Sequence, residues 1–235
     1  VALGTLGPGA TQLLSGIAGA WLDRAPVVAI TGDTSTTNKN LYTHQILDQQ
    51  ALFAPVTHRS ITLTAAEAWR EIPMALRHLD AGRPGPVHLN LPGDVATAPQ
   101  PGFWPERFEP TPPLPTQPAL DEAIARIRSA RRPVIAVGCG DLSDRVDLTL
   151  YALAHELKAP VMATYKAKGI LNEEETWNAG AFGLSPVIDE KQQMLLSQAD
   201  LLICVGLDPV ELRPQWLPGW PESLQVVSVD NLPPV

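Results

Sequence analysis

The sequence has no basic run, no long apolar stretch and few cysteines, and each absence excludes a class of protein. The formal net charge of the 235 residues is −8 and the isoelectric point is about 5.1. This charge argues against a nucleic-acid partner or an anionic membrane surface. No apolar stretch is long enough to span a bilayer, and no charged-then-apolar signal segment begins the chain. We therefore expect neither nucleic-acid nor membrane partners.

The two cysteines and five histidines give no sign of a disulfide or a metal site. Cys139 and Cys204 each lie inside an apolar run, residues 134–140 and 201–206, which is typical of buried thiols. A reducing, cytoplasmic location follows as the expectation. The sequence has no Cys-x-x-Cys pair, and its histidines are dispersed, so we predict no metal ligands; they are His44, His58, His78, His88 and His155.

A glycine-rich turn followed by an amphipathic helix opens the chain. After Gly7-Pro8-Gly9, the apolar residues Leu13, Ile17 and Trp21 recur every four positions, which predicts a helix with one apolar face. The apolar run at 26–32 then predicts a buried strand of a parallel sheet. Glycines at the turn allow close approach of another group. These residues alone are equally compatible with an ordinary helix–strand corner of an α/β domain.

The remainder of the first segment contains further helix and strand signals. The polar residues 33–40 follow the strand at its carboxyl end, where open α/β sheets bind ligands. Thr64 and Glu67 have the spacing of a capping box. Pro73 lies too far along for a continuous helix, so we predict a short turn and a helix that restarts there. Residues 86–91 are predicted to form the next strand.

A proline-rich stretch divides the chain. Prolines are concentrated between residues 98 and 118, and they favour an extended, semi-rigid connector because they lack a backbone donor. We therefore predict one domain over 1–98, a linker over 99–117 and a second domain over 118–235.

In the second domain, predicted helices and strands alternate. Helical patterns begin near Leu120, Val146 and Pro186, and the apolar runs that read as strands are 133–138, 160–164, 201–206 and 225–230. A glycine-containing loop is predicted between residue 164 and Pro186. Strands separated by helices imply parallel pairing with right-handed crossovers. The fold class predicted for the chain is therefore α/β, with two doubly wound parallel-sheet segments.

Several motifs resemble one family. Residues 5–11 (Thr-Leu-Gly-Pro-Gly-Ala-Thr), 31–32 (Thr-Gly), 82–87 (Gly-Arg-Pro-Gly-Pro-Val) and 91–95 (Leu-Pro-Gly-Asp-Val) are similar to the thiamine-diphosphate-dependent 2-oxo-acid enzymes, and most similar to acetolactate synthases. Residues 44–48 (His-Gln-Ile-Leu-Asp) with 53–57, and 205–212 with Trp216, resemble the catabolic, FAD-independent acetolactate synthases.

The resemblance implies a piece of a larger enzyme. The expected parts are the C-terminal part of a pyrimidine-binding domain and most of a Rossmann-like central domain, truncated at its C-terminus. The family decarboxylates a small 2-oxo acid such as pyruvate and joins the product to a second carbonyl, using thiamine diphosphate and magnesium. The sequence contains no Gly-Asp-Gly motif, and the activating glutamate is expected upstream of Val1. The chain alone is therefore expected to be inactive, and the full-length enzyme to be a homo-oligomer.

The resemblance also assigns candidate site residues. Gln45 is the first candidate for a catalytic role, because a carboxamide can hold a substrate carboxylate or hydroxyl without changing its charge. His44, beside it, is a second candidate. Gly7 and Pro8 are expected to approach the aminopyrimidine ring of the cofactor. Gln12 is a candidate for a cofactor contact, although these synthases usually have asparagine there.

Two features of the second domain have alternative interpretations. Gly138-Cys139-Gly140 lacks the third glycine of a dinucleotide fingerprint, and the resemblance to FAD-independent enzymes makes FAD or ADP in this domain unexpected. Asp208 and Glu211 could be paired carboxylates, but a turn with Asp208 bonded to its own backbone is preferred. A stand-alone nucleotide-binding or regulatory module that shares the fold is the alternative function.

Overall fold

The computed structural model describes residues 1–41, 43–79, 83–99, 114–140, 146–216 and 220–230. The chain divides into two compact units, Val1–Thr111 and Pro112–Val235. Most of the predicted linker, residues 100–113, lies outside the described residues, and Gln117 at its predicted end is already helical. None of the described helices combines the length and the apolar character that crossing a membrane requires.

The first unit is built on a four-stranded parallel sheet. Its elements are β1 (Ala2–Gly4), α1 (Pro8–Leu22), β2 (Val28–Asp33), α2 (Gln49–Phe53), β3 (Arg59–Thr62), α3 (Ala68–Leu76), β4 (Val87–Pro92) and α4 (Gly93–Thr97). The strand order is β1-β2-β4-β3, and every pairing is parallel. All the carboxyl ends of these strands therefore lie at the same edge of the sheet.

The second unit contains a five-stranded parallel sheet with the order β7-β6-β5-β8-β9. Its elements are α5 (Gln117–Ser129), β5 (Pro133–Val137), α6 (Val146–Leu157), β6 (Val161–Thr164), β7 (Asn178–Phe182), α7 (Pro186–Ser197), β8 (Leu201–Val205) and β9 (Gln225–Val229). The chain adds strands first on one side of β5 and then on the other. This order is doubly wound, with its switch point between β5 and β8.

Apolar layers cover both faces of the second sheet. All five residues of the central strand β5 are buried. Ile135 and Val137 pack in a cluster with residues of α6, whereas Val134 and Ala136 pack in another with Leu196 of α7. Successive residues of a strand point to opposite faces, so a continuous apolar run gives a strand that is buried on both sides.

The fold confirms the predicted α/β class and most of the predicted elements. The short described elements β1, α4 and β7 were not predicted. The strand β7 has the sequence Asn-Ala-Gly-Ala-Phe, whose small residues have a weak preference for strands. It lies in the segment that was predicted to be a glycine-containing loop.

Two predictions about α3 are wrong. The side chain of Glu67 makes no capping hydrogen bond and instead pairs with Arg70, while the carbonyl of Thr64 accepts from the amides of Glu67 and Ala68. The helix also continues through Pro73 rather than restarting there. A proline inside a helix removes one hydrogen bond and crowds the carbonyl four residues earlier. This helix retains Pro73 because its apolar side packs against the sheet at Ala68 and Ala75.

We expect Pro73→Ala to raise the free energy of unfolding by about 1 kcal/mol. Alanine restores the helical amide, and this gain exceeds the smaller entropic benefit that proline confers by restricting the unfolded chain. Urea denaturation with an unchanged m-value measures the difference. The matched control is Pro26→Ala, at an exposed position before β2, which should be neutral or slightly destabilising. A loss of stability in Pro73→Ala would contradict the prediction.

Candidate functional site

Polar side chains converge at the carboxyl ends of the central strands of the first unit. In β2, Thr31 and Asp33 are buried, and in β4 so are His88 and Asn90. Thr31 lies beside Asn90 in the parallel register. Buried polar groups are costly unless they are hydrogen-bonded, so their partners determine what this region can do.

Asn90 is the centre of a fully bonded network. Its Oδ1 accepts from Thr31 Oγ1 at 3.2 Å and from Gln49 Nε2 at 2.8 Å. Its Nδ2 donates to Asp33 Oδ2 at 2.8 Å and to Thr62 Oγ1 at 3.1 Å. Two acceptor and two donor positions are the full capacity of a carboxamide. Asn90 therefore joins β2, β3, β4 and α2 at one point.

Gln49 connects this network to the turn that begins α1. Gln49 is only 1% exposed. Its Nε2 also donates to the carbonyl of Gly32 at 2.8 Å, and its Oε1 accepts from the amide of Gly7 at 3.2 Å. The helix that carries it is capped by Asp48, whose Oδ1 accepts from the amide of Ala51 at 3.0 Å. One buried carboxamide thus fixes the turn to the strand ends.

The turn at Gly7 is in direct contact with the backbone of Gln45. Gly7 has φ 61° and ψ −116°, and a Cβ placed on it would lie 2.6 Å from the carbonyl oxygen of Gln45 and 2.8 Å from its Cβ. Only glycine fits at this separation. Gln45 itself has φ 60°, the left-handed region that non-glycine residues rarely adopt. Strain of this kind occurs at functional sites, and it also occurs just after helices α1 and α6, at Arg24 and Lys158.

The structure brings the predicted site residues to one region of the first unit. Gly7 is buried, whereas Pro8 and Gln12 are exposed. Pro8 is the first residue of α1, and Gln12 follows it by four positions, so the two share a helix face. Gln45 and His44 are exposed in the segment that contacts Gly7. Their roles stay predictions.

Three central residues were not predicted: Gln49, His88 and Asn90. A signal for two of them is present in the sequence, because His88 and Asn90 alternate with apolar residues inside a strand that reads as buried. A polar residue in such a position requires a partner. Gln49 lies four residues after Gln45, but nothing in the local sequence separates it from its exposed neighbour Gln50.

His88 is buried and neutral. Its Nε2 lies 2.8 Å from Thr31 Oγ1 and its Nδ1 lies 2.8 Å from Ser60 Oγ, while its ring stacks on Phe53 with centroids 4.1 Å apart. Burial lowers the pKa of His88 from 6.5 to about 4. Because the Thr31 hydroxyl donates to Asn90, Nε2 of a neutral His88 donates to Thr31 Oγ1 and Nδ1 accepts from Ser60 Oγ. His88 therefore supports the strands rather than exchanging protons with a ligand.

A carboxylate occupies the corresponding switch point of the second unit. Glu211 is 1% exposed, and it accepts from the amide of Cys139 at 2.9 Å and from Thr164 Oγ1 at 2.5 Å. A Cβ on Gly138 would lie 2.4 Å from the carbonyl oxygen of Gly206. Contacts within the chain therefore join the described ends of β5, β6 and β8. Asp208 Oδ1 accepts from the amide of Val210 at 2.9 Å, as the turn interpretation predicted.

Both cysteines are free thiols. Burial, together with the neighbouring Glu211 carboxylate, raises the pKa of Cys139 to about 12, and burial alone raises that of Cys204 to about 12. Such thiols are protonated at neutral pH and are poor nucleophiles. Among the residues that the structure describes, no three His, Cys, Asp or Glu side chains cluster in a way that could hold a metal ion.

Two family models match the chain. Residues 1–52 match the thiamine pyrophosphate enzyme N-terminal TPP binding domain, and residues 120–234 match the thiamine pyrophosphate enzyme central domain. The chain belongs to the thiamine pyrophosphate enzymes. The N-terminal match contains the turn at Gly7, the contact residue Gln45 and the buried Gln49.

Curated relatives of this thiamine pyrophosphate enzyme chain include acetolactate synthases. The chain is 32% identical to the catabolic acetolactate synthase of Raoultella terrigena over 237 residues, which cover 99% of the chain and 42% of that relative. It is 31% identical to acetolactate synthase of Bacillus subtilis, over 92% of the chain and 38% of the relative. Glyoxylate carboligase of Escherichia coli O157:H7 is 28% identical, over 99% and 40%. The chain thus spans less than half the length of these relatives.

The exposed face at the start of α1 fits part of the family's cofactor. Thiamine diphosphate contains a planar aminopyrimidine with both donors and acceptors. Pro8 offers an apolar ring and Gln12 offers a carboxamide that can donate and accept, whereas Gly7 is buried against Gln45. The chain's described residues therefore offer groups that suit the pyrimidine, in agreement with the matched N-terminal binding domain.

We expect the first unit to lose stability as the pH falls from 6.5 to 4. In this range the unfolded chain protonates His88 and the folded chain does not, so the contribution is complete above pH 6.5 and is lost below it. The loss should approach about 3 kcal/mol, from a pKa difference of roughly 2.5 units. Denaturation curves across this range, compared with His88→Gln, measure it.

Comparing the pH dependence of stability with that of His88→Gln cancels the contributions of other titrating groups. The pKa values of Asp94 and Asp200 are also lowered, mainly by hydrogen bonds that outweigh desolvation, and they contribute equally to both proteins. Equal slopes of stability against pH in the two proteins would show that His88 does not titrate as its burial requires.

Proposed function

We propose that this chain forms one wall of the thiamine diphosphate pocket in an acetolactate-synthase-like enzyme. The proposed reaction is decarboxylation of a small 2-oxo acid, with pyruvate as the first substrate to test, and carboligation of the product. The family membership and the activities for which the relatives are named support the class of reaction. The cofactor supplies the carbanion chemistry of this family, and the protein binds and orients the reacting groups.

The contact between Gly7 and Gln45 is the observation that carries this proposal. Two segments more than thirty residues apart meet with no room for a Cβ at Gly7. One is the turn expected at the aminopyrimidine, and the other carries the exposed carboxamide expected at the substrate. An ordinary helix–strand corner does not require this pairing. A pocket that holds cofactor and substrate together does.

Each proposed site residue has a distinct role. Pro8 supplies the apolar contact to the pyrimidine and Gln12 supplies a hydrogen bond, while Gly7 allows the turn to lie against Gln45. Gln45 holds a carboxylate or hydroxyl of the 2-oxo acid through its amide, which needs no change of protonation. His44, next to Gln45 on the exposed segment, is a second candidate for the same surface.

We propose that the remaining parts of the enzyme lie outside these 235 residues. The relatives are more than twice as long as the aligned part, and the sequence has no Gly-Asp-Gly motif to hold magnesium and diphosphate. The chain alone is accordingly proposed to be inactive. A homo-oligomeric full-length enzyme in the cytoplasm is part of the same proposal.

In the full-length protein, Gln45→Ala should lower kcat/KM for pyruvate by about a hundredfold, since one hydrogen bond directed at the reacting group contributes roughly 3 kcal/mol. The assay follows acetolactate and carbon dioxide with thiamine diphosphate and magnesium present. Gln50→Ala, at an exposed neighbouring glutamine, is the control and should retain activity. Full turnover with an unchanged product ratio in Gln45→Ala would remove Gln45 from the site.

We further propose that the central domain binds no FAD or ADP. The buried Glu211 carboxylate lies at the strand ends where a nucleotide phosphate would bind in a doubly wound sheet, and its negative charge opposes a phosphate. Gly138 and Gly140 pack against Gly206 with no room for a Cβ at either position. We therefore propose that the described residues at these strand ends close the crevice to a nucleotide.

A thermal shift assay of the full-length protein with FAD, ADP and NAD tests whether the crevice of the central domain is closed to nucleotides. We expect no shift, whereas a ligand at a hundred times its Kd would stabilise by about 2.7 kcal/mol. Thiamine diphosphate with magnesium serves as the positive control. A shift with FAD or ADP would contradict the closed crevice, and a shift with NAD alone would favour the alternative of a stand-alone nucleotide-binding or regulatory module.

A further inference from the structure

We propose that Gln49 is a positioning residue that holds the Gly7 turn and the Gln45 segment in register with each other. This inference rests on the proposed function, because it assigns a role in that pocket. Gln49 touches neither proposed ligand. It acts through the backbone of the two segments that would.

The hydrogen bonds of Gln49 are directed at both sides of the turn. Its Oε1 accepts from the amide of Gly7, which is the N-cap residue of α1 and has no capping side chain of its own. Its Nε2 donates to Gly32, at the end of β2, and to Asn90, in β4. The turn is therefore attached to the two central strands through a single side chain.

Gln45 is also linked to Gln49, both through its contact with Gly7 and along the chain. Gln45 lies against Gly7 with no space for a Cβ, and it precedes Gln49 by four residues. Asp48 caps α2, so the short segment between the two glutamines is held at its far end. If the bond to Gly7 is lost, the turn and the Gln45 carboxamide can move apart.

A buried amide with three partners is hard to replace. An apolar side chain at this position would leave the Gly7 amide, the Gly32 carbonyl and Asn90 Oδ1 each without this partner, and such unpaired buried groups are unfavourable. Gln50 provides a matched control on the same helix. It is exposed, and its Oε1 accepts from Thr62 Oγ1 at 3.0 Å without reaching the turn.

The test uses the full-length protein and three variants: Gln49→Met, Gln49→Glu and Gln50→Met. The measurements are the dissociation constant of thiamine diphosphate with magnesium, KM and kcat for pyruvate, and Tm. All binding and rates are measured well below the Tm of each variant. Under these conditions a purely structural role would lower Tm and leave the dissociation constant unchanged.

We expect Gln49→Met to raise both the thiamine diphosphate dissociation constant and KM for pyruvate at least tenfold, with a smaller change in kcat. Gln49→Glu keeps an oxygen that can accept from Gly7, so its dissociation constant should lie between those of wild type and Gln49→Met. Gln50→Met should match wild type in both constants. If Gln49→Met does not fold, the dissociation constant and KM of Gln49→Glu are compared with those of Gln50→Met to decide whether Gln49 has a positioning role.

The outcomes separate this inference from the proposed function. A variant of Gln49 that loses Tm but binds thiamine diphosphate within twofold of wild type overturns the positioning role and leaves the proposed function intact. A tenfold rise in the cofactor constant without any rise in KM for pyruvate overturns the link to Gln45. A wild-type protein that does not bind thiamine diphosphate overturns the proposed function, and this inference with it.

Discussion

The hydrogen bond from the Gly7 amide to the buried carboxamide of Gln49 is the interaction on which the arrangement of the first unit depends. A helix leaves its first amides without partners inside the helix, and α1 has no side-chain cap. Gln49 satisfies one of these groups and joins it to the carboxyl ends of the central strands. The Gly7 turn is thus held in place by buried residues, while Pro8 and Gln12 at the start of α1 remain exposed.

This construction requires a buried polar network where most sheets have an apolar core. Such a network is favourable only when all its members are bonded, because the low local dielectric penalises an unpaired group. Asn90 uses both donors and both acceptor positions, and His88 uses both ring nitrogens. Because replacing one member leaves several others unpaired, we expect the network to shift as a unit. Rigidity of this kind suits a site that must present fixed backbone positions to a ligand.

The sequence was sufficient for the parts of this fold that have strong local signals. Periodic apolar residues identified α1, and continuous apolar runs identified β2, β5 and β8. The failures have local causes: β7 is built from small residues, and Pro73 remains helical because of packing that only the tertiary structure contains. For the site, too, local features were predictable and long-range contacts were not. A turn at Gly7 is visible in the sequence, but the meeting of Gly7 with Gln45, and the choice of Gln49 over Gln50 as the buried residue, depend on contacts across more than thirty residues.

The two sheets differ at the edge formed by the carboxyl ends of their strands. Both are parallel, and both bring several strand ends together at the position where such folds bind ligands. In the first unit the linked amides of Gln49 and Asn90 meet the Asp33 carboxylate, which pairs with Lys39, and Pro8 and Gln12 beside the turn are exposed. In the second unit the carboxylate of Glu211 lies across the strand ends, and Gly138 and Gly140 pack closely against Gly206. Both units therefore bury a carboxylate at the strand ends, and the exposed surface at the start of α1 is the physical reason for assigning the ligand to the first unit.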